Sequence, residues 1–183
     1  MLARLVFIYA AIAMSVGGAQ AQPGKLAQID ALMRQQFPDI GHITVEDLQQ
    51  GLRAGETILL LDTRSHKEFA VSHLPGALHI PPNASAKQLI ALIGDRAKAA
   101  HVVIYCSVGV RSSKLAERTR RALNAAGASR VDNLRGGIFA WHNQDHPLED
   151  AHGTTALVHP YDKTWGRLLD RQNLISKRPK ERS

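Results

Sequence analysis

The sequence predicts an α/β fold built on a parallel sheet. Segments of strand length alternate along the chain with segments of helical periodicity, which is the order of elements in such folds. The runs at residues 57–61 and 101–105 are almost continuously apolar instead of alternating, so both faces of these strands are expected to be covered. The length of 183 residues suits one domain with short extensions.

Strand and helix candidates follow one another along the whole chain. The strands are placed at Ile43 and at residues 57–61, 78–80, 101–105 and 130–134. The helices are placed at residues 25–36, 44–54, 67–69, 85–98 and 112–126, with a short last helix after Gly136. Their ends carry the expected signals. Phe37-Pro38 stops the first helix, Thr44 and Asp47 have the spacing of a capping box, and Gly127 suits the position after a helix.

The first 21 residues have the three-part layout of a secretory signal peptide. Arg4 supplies one positive charge, residues 5–16 carry no charge, and small residues follow up to an A-x-A pattern that ends at Ala21. The uncharged stretch is shorter than the ~20 residues that a membrane-spanning helix needs. We therefore expect export with cleavage after about Ala21, a periplasmic location and no stable membrane span.

The excess positive charge is concentrated at the C-terminal end. The chain has a formal net charge of +7, and residues 161–183 hold seven Lys and Arg against three Asp and Glu. Tyr161, Trp165, Leu168 and Leu169 have helical spacing, which predicts a short amphipathic helix that docks on its own domain. Export and the lack of interleaved aromatic and basic residues argue against nucleic acid as a partner. The basic end is then a solvated tail or a contact with a partner or a membrane surface.

The single cysteine follows a predicted strand and opens a short loop before a helix. The loop reads Cys106-Ser107-Val108-Gly109-Val110-Arg111-Ser112. Backbone N–H groups of such a loop and of the first helical turn favour an anion at the sulfur. Only a few per cent of a free thiol is ionised at pH 7, and charge-assisted contacts raise that share. In an exported chain an unpaired thiol is either buried and inert or free and reactive, and the flanking loop favours the reactive state.

Short motifs follow one another between about Ile43 and Trp141. They read Leu61-Asp62-Thr63-Arg64, Glu68-Phe69, Ser72-His73-Leu74-Pro75-Gly76-Ala77, Ile80-Pro81, Val103-Ile104-Tyr105 with the cysteine loop, and Leu134-Arg135-Gly136-Gly137. Each motif alone is weak, but in this order and spacing they resemble a single-domain rhodanese (thiosulfate sulfurtransferase-like) protein. The resemblance implies a central, mostly parallel five-stranded sheet flanked by helices on both faces. The expected rhodanese-like domain spans residues 42–147, between an N-terminal helical extension (22–41) and a basic C-terminal extension (148–183).

The resemblance also implies sulfur transfer at Cys106, with no cofactor and no metal. In such proteins the thiolate takes a sulfane sulfur from a donor, becomes a persulfide and passes the sulfur to an acceptor. The backbone of residues 107–112 would hold the charged sulfur, and Gly109 would allow the tight curvature. The implied partners are a small sulfur-containing anion, a thiol acceptor or a protein acceptor.

Arg111 has two possible roles. It could bind an anionic donor directly, or it could hold the loop by pairing with Glu68 or Asp62. Asp62, Arg64 and Glu68 are expected to support the site, and the turn residue His73 is expected to be structural.

Three other functions are weighed against sulfur transfer. Phosphatases and arsenate reductases of the same fold have five residues between Cys and Arg, whereas four separate Cys106 from Arg111, which favours sulfur over phosphate. His142, Asp145 and His146 have metal-ligand spacing, but they form only a weak half-site without further Cys. The alternative from another class is a non-catalytic rhodanese-fold binding or sensing module, and the retained cysteine with its loop favours the enzyme.

Overall fold

The computed structural model of the protein describes residues 24–179, and over this range a parallel sheet forms its centre. The strands of this sheet are β1 (Gly41–Ile43), β2 (Ile58–Asp62), β3 (Leu78–His79), β4 (His101–Tyr105) and β5 (Arg130–Leu134). All neighbours pair in parallel, in the order β1-β5-β4-β2-β3. The predicted α/β fold with a five-stranded parallel sheet is confirmed.

Helices lie on both faces of the sheet. They are α1 (Lys25–Gln36), α2 (Val45–Arg53), α3 (His66–Val71), α4 (Ala86–Ile93), α5 (Val110–Ala125) and α6 (Gly137–Asn143). Three helices begin after a residue whose side-chain hydroxyl accepts the backbone N–H of the residue three positions later. These N-cap residues are Thr44, Ser65 and Ser85. The helix predicted over residues 85–98 is shorter than expected, because Gly94 adopts a φ of +55° and ends α4.

Side chains of the central strands alternate between two hydrophobic cores. Leu60 and Val103 pack on the face covered by α2 and α6, whereas Leu61 and Ile104 pack on the face covered by α4 and α5. Successive side chains of a strand point to opposite faces, so a strand covered on both sides is apolar throughout. This explains the continuous apolar runs in the sequence.

The connections that follow β2 and β4 leave the sheet in opposite directions. The chain continues from β2 to β3 on one side, and from β4 to β5 on the other. In parallel sheets, ligands bind beyond the carboxyl ends of the strands at the point where the connections diverge. Asp62 ends β2 and Cys106 follows β4, so the topology places both residues at this point.

The chain after α6 packs on the domain through a hairpin, in a stretch for which the sequence predicts no strand. Its strands are β6 (Leu148–Asp150) and β7 (Gly153–Thr155), paired antiparallel. His73 and Glu149 exchange two backbone hydrogen bonds of 2.9 Å, which join the hairpin to the turn before β3. Strands of three residues are too short to show an apolar alternation in the sequence.

The amphipathic helix predicted over residues 161–169 is a single 3₁₀ turn, Trp165–Leu168. The Asp162 side chain accepts two backbone N–H groups of this segment, at 2.7 and 2.9 Å, and so offers the backbone an alternative to a helix. Tyr161 has a φ of +63°, which no right-handed helix allows. The segment nevertheless docks on its own domain, since Leu169 is buried in the core under α2 and α6.

The N-terminal end of the described chain is tied to the domain by an ion pair. Asp30 of α1 accepts hydrogen bonds from Arg135 at 3.0 and 2.8 Å. The signal peptide expected at residues 1–21 lies outside the described residues. Between residues 24 and 179, no helix has the length and hydropathy needed to cross a bilayer.

A buried ion pair at the end of β2 predicts the effect of one substitution on stability. Asp62 and Arg64 are both fully buried, and Asp62 accepts from the Arg64 backbone N–H at 2.9 Å and from its Nη2 at 2.6 Å. Asp62→Asn leaves the buried guanidinium without a countercharge, so we expect a loss of about 3–5 kcal/mol in the free energy of unfolding. Urea unfolding followed by circular dichroism measures this loss.

The matched control is Asp95→Asn, which breaks an exposed pair with Lys98. This control should change the free energy of unfolding by less than about 1 kcal/mol. An equally small effect of Asp62→Asn would contradict a structural role of the buried pair.

Candidate active site

The Cys106 sulfur lies between the end of β4 and the N-terminus of α5. The side chain is buried, with 1% of its surface exposed, and it forms no disulfide. The Gly109 backbone N–H donates to Sγ at 3.2 Å. The helix that follows has 16 residues and starts at Val110, two residues earlier than predicted. Its partial positive charge therefore faces the sulfur.

Two glycines permit the close approach of this loop to its neighbours. Gly109 has a φ of +96°, and a Cβ there would lie 3.2 Å from the Asn133 amide nitrogen. Gly137 has a φ of +57°, and a Cβ there would lie 2.3 Å from the Cys106 carbonyl oxygen. A side chain at either position would be strained and would displace the loop.

The N-terminus of α6 holds the loop from the other side. Ile138 donates its backbone N–H to the Cys106 carbonyl at 2.9 Å, and Phe139 donates to the Ser107 carbonyl at 3.0 Å. The first N–H groups of a helix have no partner within the helix, so these bonds give a partner to the N–H groups of α6 and to the carbonyl groups of the loop. The glycine pair of the last motif thus positions the cysteine loop.

Glu68 joins α3 to the cysteine loop. Its Oε1 accepts from Arg111 Nη2 at 2.7 Å and from the Ser107 hydroxyl at 3.1 Å, and its Oε2 accepts from Arg111 Nη1 at 3.0 Å. The capping box with Ser65 fixes the Glu68 side chain at the start of α3. Of the two partners considered for Arg111, the structure places Glu68 against it, whereas Asp62 is paired with Arg64.

Both members of this pair stay charged around neutral pH. Burial opposes ionisation of Glu68, but the hydrogen bonds and charge of Arg111 outweigh it and lower the Glu68 pKa to about 2. Burial likewise opposes the charge on Arg111, but its bonds to Glu68 and the charges of Cys106 and Glu68 raise the Arg111 pKa. The charge of the guanidinium is therefore largely balanced by a carboxylate.

The remaining loop residues lie in three different environments. The Ser112 hydroxyl donates to the Asn133 side-chain oxygen at 2.6 Å, away from the sulfur. Val108 is buried in the core, and Val110 begins α5. Among the backbone amides expected to surround the sulfur, that of Gly109 donates to it directly.

His73 lies against Phe69 and Glu149. Its ring stacks on Phe69 with centroids 3.8 Å apart, its Nδ1 lies 3.1 Å from the Phe69 carbonyl oxygen, and its Nε2 lies 3.5 Å from a Glu149 carboxylate oxygen. These contacts fix the turn before β3.

Asp145, one of the three residues considered as metal ligands, forms an ion pair with Arg171.

Three residues that contact the loop are not among the site residues that the sequence predicts. Asn133 of β5 accepts a hydrogen bond from Ser112 and is buried. The sequence signal that could have indicated it is a polar residue within a predicted strand. The Ser113 hydroxyl donates to the Gly109 carbonyl at 2.8 Å. The Tyr161 ring centroid lies 4.8 Å from the Arg111 guanidinium carbon, a contact that its place in an apolar stripe did not indicate.

Several known proteins are similar to this chain. A protein of Allochromatium vinosum named sulfurtransferase is 36% identical over 109 residues, 60% of this chain and 94% of the relative. The probable adenylyltransferase/sulfurtransferase MoeZ of Mycobacterium tuberculosis is 36% identical over 107 residues, 57% of this chain and 25% of that longer protein. The solved thiosulfate sulfurtransferase of Pseudomonas aeruginosa matches with a TM-score of 0.54 and 20% identity, over 78% of this chain and 26% of that one, which supports the fold alone.

A family model covers the part of the chain that forms the site. The Rhodanese-like domain matches residues 44–144, from the N-cap of α2 to just beyond α6. This stretch contains Cys106, Glu68 and Arg111, and it is more than half of the chain. The protein therefore belongs to the rhodanese-like domain family.

Proposed function

We propose that this protein is an exported sulfurtransferase in which Cys106 carries a sulfane sulfur from a thiosulfate-like donor to a thiophilic acceptor. The observation that carries the proposal is the position of the Cys106 sulfur, which accepts the Gly109 N–H at 3.2 Å at the N-terminus of α5. Membership in the rhodanese-like family and the relative named sulfurtransferase support sulfur transfer in general.

In the first half-reaction the Cys106 thiolate attacks the outer sulfur of the donor. A bond forms between Sγ and that sulfur, the S–S bond of the donor breaks, and sulfite leaves with the electron pair. The negative charge moves to the terminal sulfur of the persulfide. The N-terminus of α5 and the loop amides stabilise this charge because they are already oriented before the reaction.

In the second half-reaction the acceptor attacks the terminal sulfur. A bond forms between the acceptor and that sulfur, and the Sγ–S bond breaks with its electron pair returning to Cys106. The thiolate is thereby regenerated, and no external oxidant or reductant is consumed. Two successive half-reactions of this kind give ping-pong kinetics.

For Arg111 we favour the role of holding the loop over that of gripping the donor. Both terminal nitrogens of its guanidinium donate to Glu68, and one of them also donates to Ser107. A bidentate pair of this kind is rigid and leaves little free positive charge for a substrate anion. Donor binding then depends mainly on backbone N–H groups.

The non-catalytic module is the second candidate function. The observation that favours it is the burial of Cys106, which exposes only 1% of its surface. A binding or sensing module needs no access to the sulfur, whereas an enzyme requires a donor to reach it. The accessibility of the thiol to reagents therefore distinguishes the two candidates.

Export is proposed from the signal-peptide layout of residues 1–21. An unpaired thiol in an oxidising compartment is exposed to oxidation, so its retention there favours a use for it. The sulfur acceptor would then be a small thiol or a protein of the same compartment.

Persulfide formation is the first test of the proposal. Incubation of the reduced protein with thiosulfate should increase its intact mass by one sulfur atom, and cyanide or dithiothreitol should remove this increase. Cys106→Ser is the control and should gain no mass. If the wild type gains no mass and its cysteine also resists iodoacetamide, the binding module is favoured and the enzyme is rejected.

Glu68→Gln tests the role of the ion pair in holding the loop. The pKa of Glu68 is about 2, below the usual 4.5, so its contribution to stability is present above pH 4.5 and is lost as the pH falls towards 2. Solvent reaches Arg111 and screens the pair, so we expect the variant to lose about 2 kcal/mol at pH 7.

Urea unfolding of wild type and variant at several pH values measures this loss. The difference between them should shrink between pH 4.5 and pH 2. Glu117→Gln, at an exposed position of α5, should change the free energy of unfolding by less than about 0.5 kcal/mol. A difference that is constant over this pH range would show that the charge of Glu68 does not stabilise the fold.

Cell fractionation tests export. The mature chain should be found in the periplasmic fraction with its N-terminus at about Gln22, because cleavage is expected after Ala21. Deletion of residues 2–21 should leave the chain in the cytoplasm. An uncleaved full-length chain in the cytoplasm of cells that express the intact gene would refute this part of the proposal.

A further inference from the structure

The C-terminal end of the described chain is fixed across the domain next to the cysteine loop. Val158 is buried and forms an isolated parallel bridge with Ile175. Asn143 of α6 donates to the Leu168 carbonyl at 2.8 Å. We call residues 156–176 the C-terminal strap. Its attachment to α6, which also holds the Cys106 carbonyl, gives it a defined position relative to the site.

The strap places an aromatic ring on the cation of the site. The Tyr161 ring centroid lies 4.8 Å from the Arg111 guanidinium carbon, within the range of a cation–π interaction. Tyr161 is the central residue of a turn in which Asp162 donates its N–H to the Pro160 carbonyl at 2.8 Å, and its φ is +63°. Such a γ-turn is strained, and strain of this kind concentrates at functional sites.

His159 supports this turn from within the strap. Its Nδ1 accepts the Tyr161 backbone N–H at 3.0 Å. Burial lowers the His159 pKa, the nearby Glu68 charge opposes this, and the charges of Arg64 and Arg111 add to the lowering. The ring is therefore neutral at pH 7, which leaves Nδ1 able to accept.

The arrangement leaves the Arg111 guanidinium few free donors for a small anion, although 27% of its side chain is exposed. Its terminal nitrogens donate to Glu68 and Ser107, and the Tyr161 ring lies on the guanidinium. Tyr161 itself is 47% exposed, although it is a large apolar side chain. The surface beside Arg111 thus presents an aromatic ring next to a guanidinium whose charge is already paired.

We propose that Tyr161 determines the acceptor selectivity of the Cys106 persulfide and favours a thiol on an organic scaffold over a small inorganic anion. This inference rests on the proposed sulfurtransferase function. The acceptor thiolate forms a bond to the terminal sulfur, the Sγ–S bond breaks, and its electron pair returns to Cys106. Tyr161 takes no part in these bond changes. It contacts the organic part of the acceptor and lies on a guanidinium whose charge is already paired with Glu68, so a small inorganic anion gains little there.

The test compares two kinds of acceptor on protein loaded with sulfur from thiosulfate. The thiol probes are dithiothreitol and a single-cysteine peptide, and the inorganic probe is cyanide. In Tyr161→Ala the ratio of kcat/KM for thiol to kcat/KM for cyanide should fall about three- to tenfold, the effect of losing one partly exposed aromatic contact. The faster of the two thiol probes indicates whether the acceptor is a free thiol or a protein cysteine.

Three further variants make the result specific. Tyr161→Phe keeps the ring and should keep the ratio within about twofold of the wild type. Tyr161→Asn should behave like Tyr161→Ala and suits the left-handed backbone, so it replaces the alanine variant if that variant fails to fold. Thr164→Ala alters an exposed side chain of the same strap and should leave the ratio unchanged.

The failure of this inference is distinguishable from failure of the proposed function. If the wild type never gains sulfur, the proposed function is wrong, and the proposed selectivity is then wrong as well. A wild type that gains sulfur, with a ratio unchanged in Tyr161→Ala and Tyr161→Asn, overturns the selectivity alone. An equal loss with thiol and cyanide also overturns it, because a loosened loop would slow both acceptors alike.

Discussion

The pairing of Glu68 with Arg111 is the interaction on which the site depends. It joins the start of α3 to the start of α5 across the cysteine loop, and the Ser107 hydroxyl links both side chains. Two buried or half-buried charges are costly unless each has a well-placed partner, and here the bidentate geometry provides it. The pair therefore orders the loop backbone, and the loop backbone in turn presents the Gly109 N–H to the sulfur.

The rest of the domain keeps the two ends of this pair at a fixed distance. The buried Asp62–Arg64 pair closes the end of β2, while the first N–H groups of α6 hold the carbonyls of Cys106 and Ser107. The loop is thus bound on one side through side chains and on the other through backbone bonds. Chemistry that depends on oriented N–H groups needs this rigidity, because groups that reorient during the reaction stabilise charge less well.

The C-terminal strap lies outside residues 44–144, the stretch that the family model matches. Its core contacts at Val158 and Leu169 are apolar and non-directional, so they fix its position without specifying chemistry. The directional contact is that of Tyr161 with Arg111. The proposed acceptor selectivity would thus come from a segment outside the shared fold, with the cysteine loop itself unchanged.

The sequence by itself determined where the buried strands lie, from their apolar runs, and that Cys106 lies at a strand end, from the cysteine loop and its flanking motifs. These are local signals, set by period and spacing within a few residues. Only the tertiary structure decided that Arg111 pairs with Glu68, that Asn133 holds Ser112, and that residues 165–168 form a 3₁₀ turn while Tyr161 lies on the guanidinium. Such contacts join residues far apart in the chain, and which of several possible partners meet depends on packing that no local pattern contains.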